Sequence, residues 1–167
     1  MEIRKLNESD DRLAISAVYE SSWKYAYRDI LPWEYLESIP VGRWVSGLDL
    51  GGRTHLVMLD GGEYIGAASC CTFRFPQFDG WGEIVSLYLL PSYMGRGCGK
   101  PLLEAAVSAL VAQGYRNIFL WVLEENWRAR AFYKKMSFQL SGACRTDVIG
   151  GKTVREVAYC RVDSARR

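Results

Sequence analysis

The chain of 167 residues has one histidine and five cysteines, with no spacing among them that would hold a metal ion. The cysteines are odd in number, and Cys70 and Cys71 are adjacent, which on a strand turns them to opposite faces. All five read as reduced thiols, and no metal is expected. The lone His55 lies in a strand pattern and reads as a packed or surface residue. An excess of one charge is also missing. The net charge is +2, so neither a nucleic-acid surface nor a membrane footprint is expected. No apolar run approaches the length of a membrane span, and the opening MEIRKLNESDD is too charged for a secretory signal; a cytoplasmic protein is the expectation. Repeats, linkers and low-complexity tracts are absent. With an apolar share of 49%, residues 1–167 read as one domain with its own core.

The stretch that carries most of the chemistry runs from Gly82 to Leu103, GEIVSLYLLPSYMGRGCGKPLL. An apolar run from Ile84 to Leu90 stops at Pro91. Gly95, Gly97 and Gly99 punctuate a turn, and a helical apolar pattern follows from Leu102. The first amides of such a helix are unpaired and carry partial positive charge, and glycines let a phosphate approach them. Two nucleotide-binding patterns are nevertheless missing. A Walker A loop needs glycine where Met94 stands and a hydroxyl where Pro101 stands. The dinucleotide pattern G-x-G-x-x-G fails at Lys100 when counted from Gly95 and at Leu102 when counted from Gly97. What remains is a phosphate cradle of another kind.

Around this stretch the chain reads as short alternating elements. Residues 2–6 predict a strand, and the run Asn7–Asp10 offers N-caps for a helix with Leu13, Ala17 and Val18 on its apolar side. An aromatic segment follows, with Trp23, Tyr25, Tyr27, Trp33 and Tyr35; Pro32 opens a short helix over 33–38, and a further helical piece is expected over 41–48. Strands over 54–59 and 64–75 form a hairpin around Asp60-Gly61-Gly62, with Gly66 marking a bulge, and 76–80 reads as a loop. After the glycine turn, a helix buries Leu103, Ala106, Leu110 and Val111 and ends at Gly114. A buried strand over 117–122 leads to a helix capped by Asn126, with Ala129, Phe132, Tyr133 and Met136 at helical spacing. A hairpin of 138–149 with 152–161 closes the chain. The order β-α-α-β-β-β-α-β-α-β-β combines hairpins with two β-α-β crossovers, and so predicts an α+β fold.

Two motifs carry a resemblance. Met94-Gly95-Arg96-Gly97-Cys98-Gly99, after a strand ending Leu89-Leu90-Pro91, closely resembles motif A of the GNAT superfamily, the CoA-dependent N-acyltransferases. Met94 stands where the family has Gln or Arg. The stretch from Asn126 to Phe138 resembles the family's motif B, with Phe132-Tyr133 as the aromatic pair and Ser137 where glycine is usual. The likeness spans residues 60–161, and the order of elements is that of the GNAT fold, a mixed, mostly antiparallel central sheet flanked by helices. The segment SWKYAYRDILPWEYL is similar to bacterial members of unassigned substrate.

The resemblance implies acetyl-CoA as co-substrate and direct transfer to a primary amine in a ternary complex, the acceptor being a small molecule. Met94, Gly95, Arg96, Gly97, Cys98, Gly99 and Lys100 would then meet the CoA pyrophosphate. The strand backbone of Leu87 and Leu89, with Asn126, would hold the pantetheine arm, and a bulge near Leu89 would free an amide for the oxyanion. Tyr133 would hydrogen-bond the departing thiolate. An amine with a pKa of about 10.4 lies about 4–5 kcal/mol from its neutral form at pH 7, so a base is needed, and Glu83 at the start of the central strand is the candidate. The first two helices border the acceptor pocket in this fold, which makes Trp23, Tyr27 and Trp33 candidate walls. A homodimer through the C-terminal strands follows from the same analogy. Each residue also has a plainer reading: Glu83 as a solvated strand end, Tyr133 as a core aromatic, Asn126 as a cap, Cys98 as packing. For the whole chain the alternatives are an acyl-CoA-binding regulatory or sensor domain without turnover, an acetyltransferase acting on protein N-termini or lysines, and acyl transfer to oxygen.

Overall fold

The computed structural model describes residues 1–162. Seven strands form one sheet: β1 (Glu2–Lys5), β2 (Arg53–Asp60), β3 (Glu63–Thr72), β4 (Gly82–Leu89), β5 (Ile118–Leu123), β6 (Gln139–Ile149) and β7 (Lys152–Arg161). Their spatial order is β1-β2-β3-β4-β5-β7-β6. The helices are α1 (Arg12–Tyr27), α2 (Trp33–Glu37), α3 (Val45–Leu48), α4 (Gly99–Ala112) and α5 (Trp127–Lys135). Among the described residues only β4 and β5 pair in parallel; the other neighbours are antiparallel. The expected mixed, mostly antiparallel sheet is therefore what forms, with β7 inserted between β5 and β6.

The strand period of two divides the core between the faces. On one side α4 and α5 cover Met58, Ile65, Cys70, Ile84, Leu89, Ile118, Leu120 and Val157. On the other, α1 lays Ile15 and Tyr19 over Val57, Leu59 and Ala67. Cys70 and Cys71 take opposite faces as expected: Cys70 lies in the α4 core, and Cys71 lies near Glu83 and Arg74.

Several local expectations are corrected. The N-cap of α1 is Asp11, whose Oδ1 accepts from the Leu13 and Ala14 amides at 2.9 and 3.0 Å. Asp10 is instead buried, accepting from the two terminal guanidinium nitrogens of Arg4 at 2.8 and 2.6 Å. With that start the buried side of α1 is Ile15, Val18, Tyr19 and Ser22, and Leu13 stays exposed. In α4 the buried stripe runs through Leu102, Leu103, Ala106, Val107 and Leu110, which leaves Val111 exposed. β3 ends at Thr72 rather than at 75, because residues 73–81 fold back as an aromatic flap. The Phe73 amide donates to Trp81 O at 3.0 Å, and a 3-10 turn at Pro76–Phe78 stacks Phe78 on Phe119 with ring centroids 4.0 Å apart.

The bulge expected at Gly66 is present beside it. Met58 pairs with Gly66 and Leu59 with Tyr64, which leaves Ile65 as the extra residue. Glycine is needed there by closeness: a Cβ on Gly66 would lie 2.7 Å from Leu89 Cδ2 and 3.2 Å from Tyr88 O.

Candidate active site

β4 and β5 pair at two positions only, Gly82 with Ile118 and Glu83 with Phe119, and then part. A second irregularity lies on the other edge of β4. Ser69 pairs with Ser86 and Cys70 with Ile84, so Val85 is an extra residue. The bulge expected near Leu89 is not there: the irregularity of β4 sits at Val85 on the β3 edge, and the Leu89 edge is freed by the parting from β5 instead. Beyond Val85 the Leu90 amide donates to Ile65 O at 2.8 Å. Backbone groups of successive residues turn to opposite edges, so those of Leu87 and Leu89 face the parted side. The wedge between the strands is a cavity of about 530 Å³.

The glycine turn closes one end of this wedge. Gly95 and Gly97 have φ of +77° and +86°, values that a side chain resists, and a Cβ on Gly97 would meet nothing within 4 Å. Their backbone is therefore open to a ligand, directly before the first turn of α4. Gly99 packs differently: a Cβ there would stand 3.2 Å from the Phe132 ring. A Gly97→Ala substitution strains the turn by about 1–2 kcal/mol without a clash, so its expected effect is a roughly tenfold weaker CoA affinity and a small drop in melting temperature. Calorimetry with CoA checks it; unchanged affinity would remove the turn from the cofactor site.

α5 closes the other wall. Asn126 caps it, its Oδ1 accepting from the Ala129 amide at 3.1 Å, and it also lines the cavity. About two helical turns later, Tyr133 is 9% exposed and lines the same space. Two further phenols face it, Tyr88 from β4 and Tyr27 from α1. Trp23 Nε1 donates to Tyr88 Oη at 2.9 Å, and Tyr27 is hydrogen-bonded to Tyr88. Burial first, and then the neighbouring Tyr88, hold the Tyr133 phenol well above the ordinary tyrosine value. Burial and then Tyr133 push Tyr27 up to about 12. All three phenols are thus protonated donors at neutral pH.

Leu87, Leu89, Met94, Gly95, Gly97, Gly99, Lys100, Asn126, Tyr133 and Tyr27 therefore come together in one cavity. Other expected site residues do not line it. Arg96 turns to the surface over Tyr93, and Cys98 is buried in the α4 core. Trp33 is exposed on α2, and Trp23 stands behind Tyr88 rather than on the wall. Glu83 is 1% exposed and lies outside the cavity lining. Its two oxygens are taken by Arg74, at 2.9 Å from Nε and 2.5 Å from Nη2, because the aromatic flap carries Arg74 back over the start of β4. So the proton acceptor expected from strand position is engaged elsewhere. The sequence reading missed Arg128, Lys135, Ser86 and Tyr88 as lining residues. Arg128 had a readable signal: it is two residues past the Asn126 cap, so the first turn of α5 holds it near the glycine turn. Its Nη2 is 3.8 Å from where a Gly95 Cβ would stand. With Lys100 and Lys135 it gives the cavity lining cationic groups that phosphates could meet.

A parted parallel strand pair, a glycine turn before a helix and a phenol aimed into the gap form a distinctive set, and comparison with known proteins decides what it is. The acetyltransferase (GNAT) family model matches residues 13–138. The chain belongs to the GNAT acetyltransferase family. This GNAT enzyme is 30% identical over 121 residues to an uncharacterized N-acetyltransferase, YuaI, of Bacillus subtilis, over 70% of this chain and 69% of that protein. It is 28% identical over 153 residues to a spermidine N(1)-acetyltransferase of Thermoplasma acidophilum, over 89% and 94% of the two chains. Its fold is similar to a crystal structure of PaiA N-acetyltransferase from Thermoplasma acidophilum in complex with coenzyme A. The TM-score is 0.71 at 25% identity, over 93% of this chain and 96% of that one. The expected α+β GNAT fold and CoA-dependent N-acetyltransferase activity are thus those of the family. Among the described residues no helix is long and apolar enough to cross a membrane.

Proposed function

We propose that this GNAT enzyme moves the acetyl group of acetyl-CoA directly to a primary amine of a small molecule, with both substrates bound at once. The observation that carries the reading is the shared wedge. The glycine turn, Lys100, Tyr133 and Ser22, Ala26 and Tyr27 of α1 line one cavity, and Arg128 lies between the glycine turn and α1, with its guanidinium 5.6 Å from the Tyr25 ring. A CoA whose pyrophosphate lay on the glycine turn would run its pantetheine arm along the parted edge of β4, with the Leu87 and Leu89 backbone beside it. Its thioester would then lie near Tyr133, and an amine entering from the α1 side would need no covalent enzyme intermediate. Tyr133 would donate a hydrogen bond to the departing thiolate. Complete proton transfer to the thiolate is uphill, since a thiol has a pKa of about 8.5 and burial raises the phenol above its ordinary value of about 10.

The acceptor end is aromatic and hydroxylated, and no carboxylate lines it among the described residues. That lining favours an amine on a small or apolar body, held over Tyr27 and Tyr88, above a polyamine whose second cation would be left unpaired. Thiol release from acetyl-CoA, measured across monoamines, amino-acid amides, spermidine and lysine peptides, tests the reading. Amine-dependent release, fastest with an apolar monoamine and reduced by Tyr27→Ala, is the expected result. CoA binding with no release for any amine would instead favour a domain that senses acyl-CoA without turnover.

A further inference from the structure

An acceptor ammonium must lose a proton before it can be acetylated, and the expected base, Glu83, is held by Arg74 outside the cavity. A second polar path leaves the cavity across the sheet. Ser86 lines the cavity from β4. Its Oγ lies 2.7 Å from Ser69 Oγ on β3 and 3.2 Å from Tyr19 Oη on α1, and either atom of each pair can donate. The next strand continues the row. Ser69 pairs with Ser86 on one side and with His55 of β2 on the other. Directly opposed residues project to the same face with Cβ atoms about 4.5–5.5 Å apart, so the three side chains form one line across three strands under α1. His55 is 9% exposed, and neither ring nitrogen has a hydrogen-bond partner among the described residues. It also borders a separate cavity of about 330 Å³, between the end of β1, the start of α1 and the segment after α3. The hydroxyls satisfy one another, whereas an unpaired imidazole in an otherwise apolar layer is costly and calls for an explanation.

We propose that His55 receives the proton of the acceptor amine through the hydroxyls of Ser86 and Ser69. The proposal rests on amine acetylation in the wedge. The ammonium gives its proton to Ser86 Oγ as the Ser86 hydroxyl proton passes to Ser69 Oγ. The Ser69 proton passes to an imidazole nitrogen through one bridging water, the partner that a buried polar atom ordinarily holds. The amine becomes neutral, the serines end as they began, and the imidazole becomes imidazolium. Its proton then leaves to water in the second cavity. His55 acts through the serines and so positions the proton's exit without touching substrate.

The surroundings keep the imidazole ready to accept. Lys5 comes from β1, Glu8 and Arg12 from around the start of α1, Tyr19 from within α1, Asp49 from after α3 and Arg53 from β2 itself. Arg12 and Asp49 are paired with each other at 3.1 Å. Burial first, then Arg53, lowers the His55 pKa below its ordinary value, and Asp49 opposes this. The ring is therefore neutral at pH 7 and charges only as pH falls below its ordinary range. A kcat that depends on the neutral ring must fall with it.

His55 is the sole histidine, so its titration is a single ring signal in a proton NMR spectrum. The experiment compares that titration with kcat against pH, at saturating acetyl-CoA and amine, in wild type, His55→Asn and Ser69→Ala. The expected result is an acidic limb of kcat whose midpoint matches the NMR value. In His55→Asn the limb disappears and kcat at pH 7 drops about tenfold or more, and added imidazole restores part of the rate to His55→Ala through the open second cavity. Ser69→Ala, which leaves the imidazole in place, shows the same loss of the limb. If His55→Asn does not fold, Ser69→Ala decides alone. Retention of the limb in either folded variant, or a His55→Asn rate within twofold of wild type, overturns the relay. Wild-type protein that releases no thiol with any amine overturns the acetylation reading and the relay together; release with an unchanged limb overturns only the relay.

Discussion

Replacing Tyr133 by Phe lowers kcat by about 10²–10³-fold and leaves the KM for acetyl-CoA within about threefold of wild type. The expectation follows from what the hydroxyl does and does not hold. Among the described residues no protein group accepts its hydrogen bond, so the phenol is free to meet a ligand. The ring packs by its edges and faces against Phe132, Phe138 and Tyr159, with centroids 5.3, 6.0 and 6.4 Å away, and phenylalanine keeps those contacts. The variant should therefore fold and bind CoA, and lose only the hydrogen bond that strengthens as charge builds on sulfur. An interaction made mainly in the transition state lowers kcat and kcat/KM together. The sign of the pH effect follows as well. With its pKa raised, the Tyr133 phenol stays protonated across the assay range, so wild-type kcat shows no fall on its account up to pH 10. Steady-state rates and thermal melts of both proteins check this. A folded Tyr133→Phe with wild-type kcat would return Tyr133 to the core aromatics.

Replacing Arg74 by Ala destabilises the fold by about 3–5 kcal/mol, the range for stranding one partner of a buried ion pair. Glu83 has 1% of its side chain exposed against 40% for Arg74, so the two ends of the pair are unequal. Loss of Arg74 leaves a carboxylate in the protein interior between β3, β4 and the aromatic flap. Glu83→Gln instead leaves a guanidinium that can turn to water, and its cost is about 1–2 kcal/mol. Arg74→Met combined with Glu83→Leu recovers most of the stability, since an apolar pair of similar volume strands no charge. Denaturant titrations of the four proteins give the ordering; an Arg74→Ala variant no weaker than Glu83→Gln would refute the structural role of the pair. The Glu83→Gln enzyme answers a second question. Its pH–rate profile keeps the wild-type acidic limb if the pair is structural, and loses it if Glu83 takes the amine's proton after all.

The unequal success of the sequence reading has physical causes. Motif A was legible because Gly95 and Gly97 do conformational work at positive φ that other residues resist. Motif B was legible because a helix cap and a helical period of apolar residues are local properties. The strands and their order along the chain followed from alternation and turns in the same way. The N-cap of α1 is Asp11, one residue beyond the run Asn7–Asp10 that offered candidates, and Asp10 and Asp11 are equivalent in sequence. Arg4, on the preceding strand, and Tyr64, distant in sequence, claim the first and leave the second for capping.

What the sequence determined by itself is therefore the set of elements, the glycine turn before α4 and the Asn126-capped helix that carries Tyr133. Only the tertiary structure decided the rest. The parting of β4 from β5 after two residue pairs creates the cavity, and no local pattern encodes where two strands separated by a helix cease to pair. The engagement of Glu83 by Arg74 depends on a flap folding back across the sheet. The row of His55, Ser69 and Ser86 exists because three strands meet in one register; a shift of one residue in any of them would send a side chain to the opposite face.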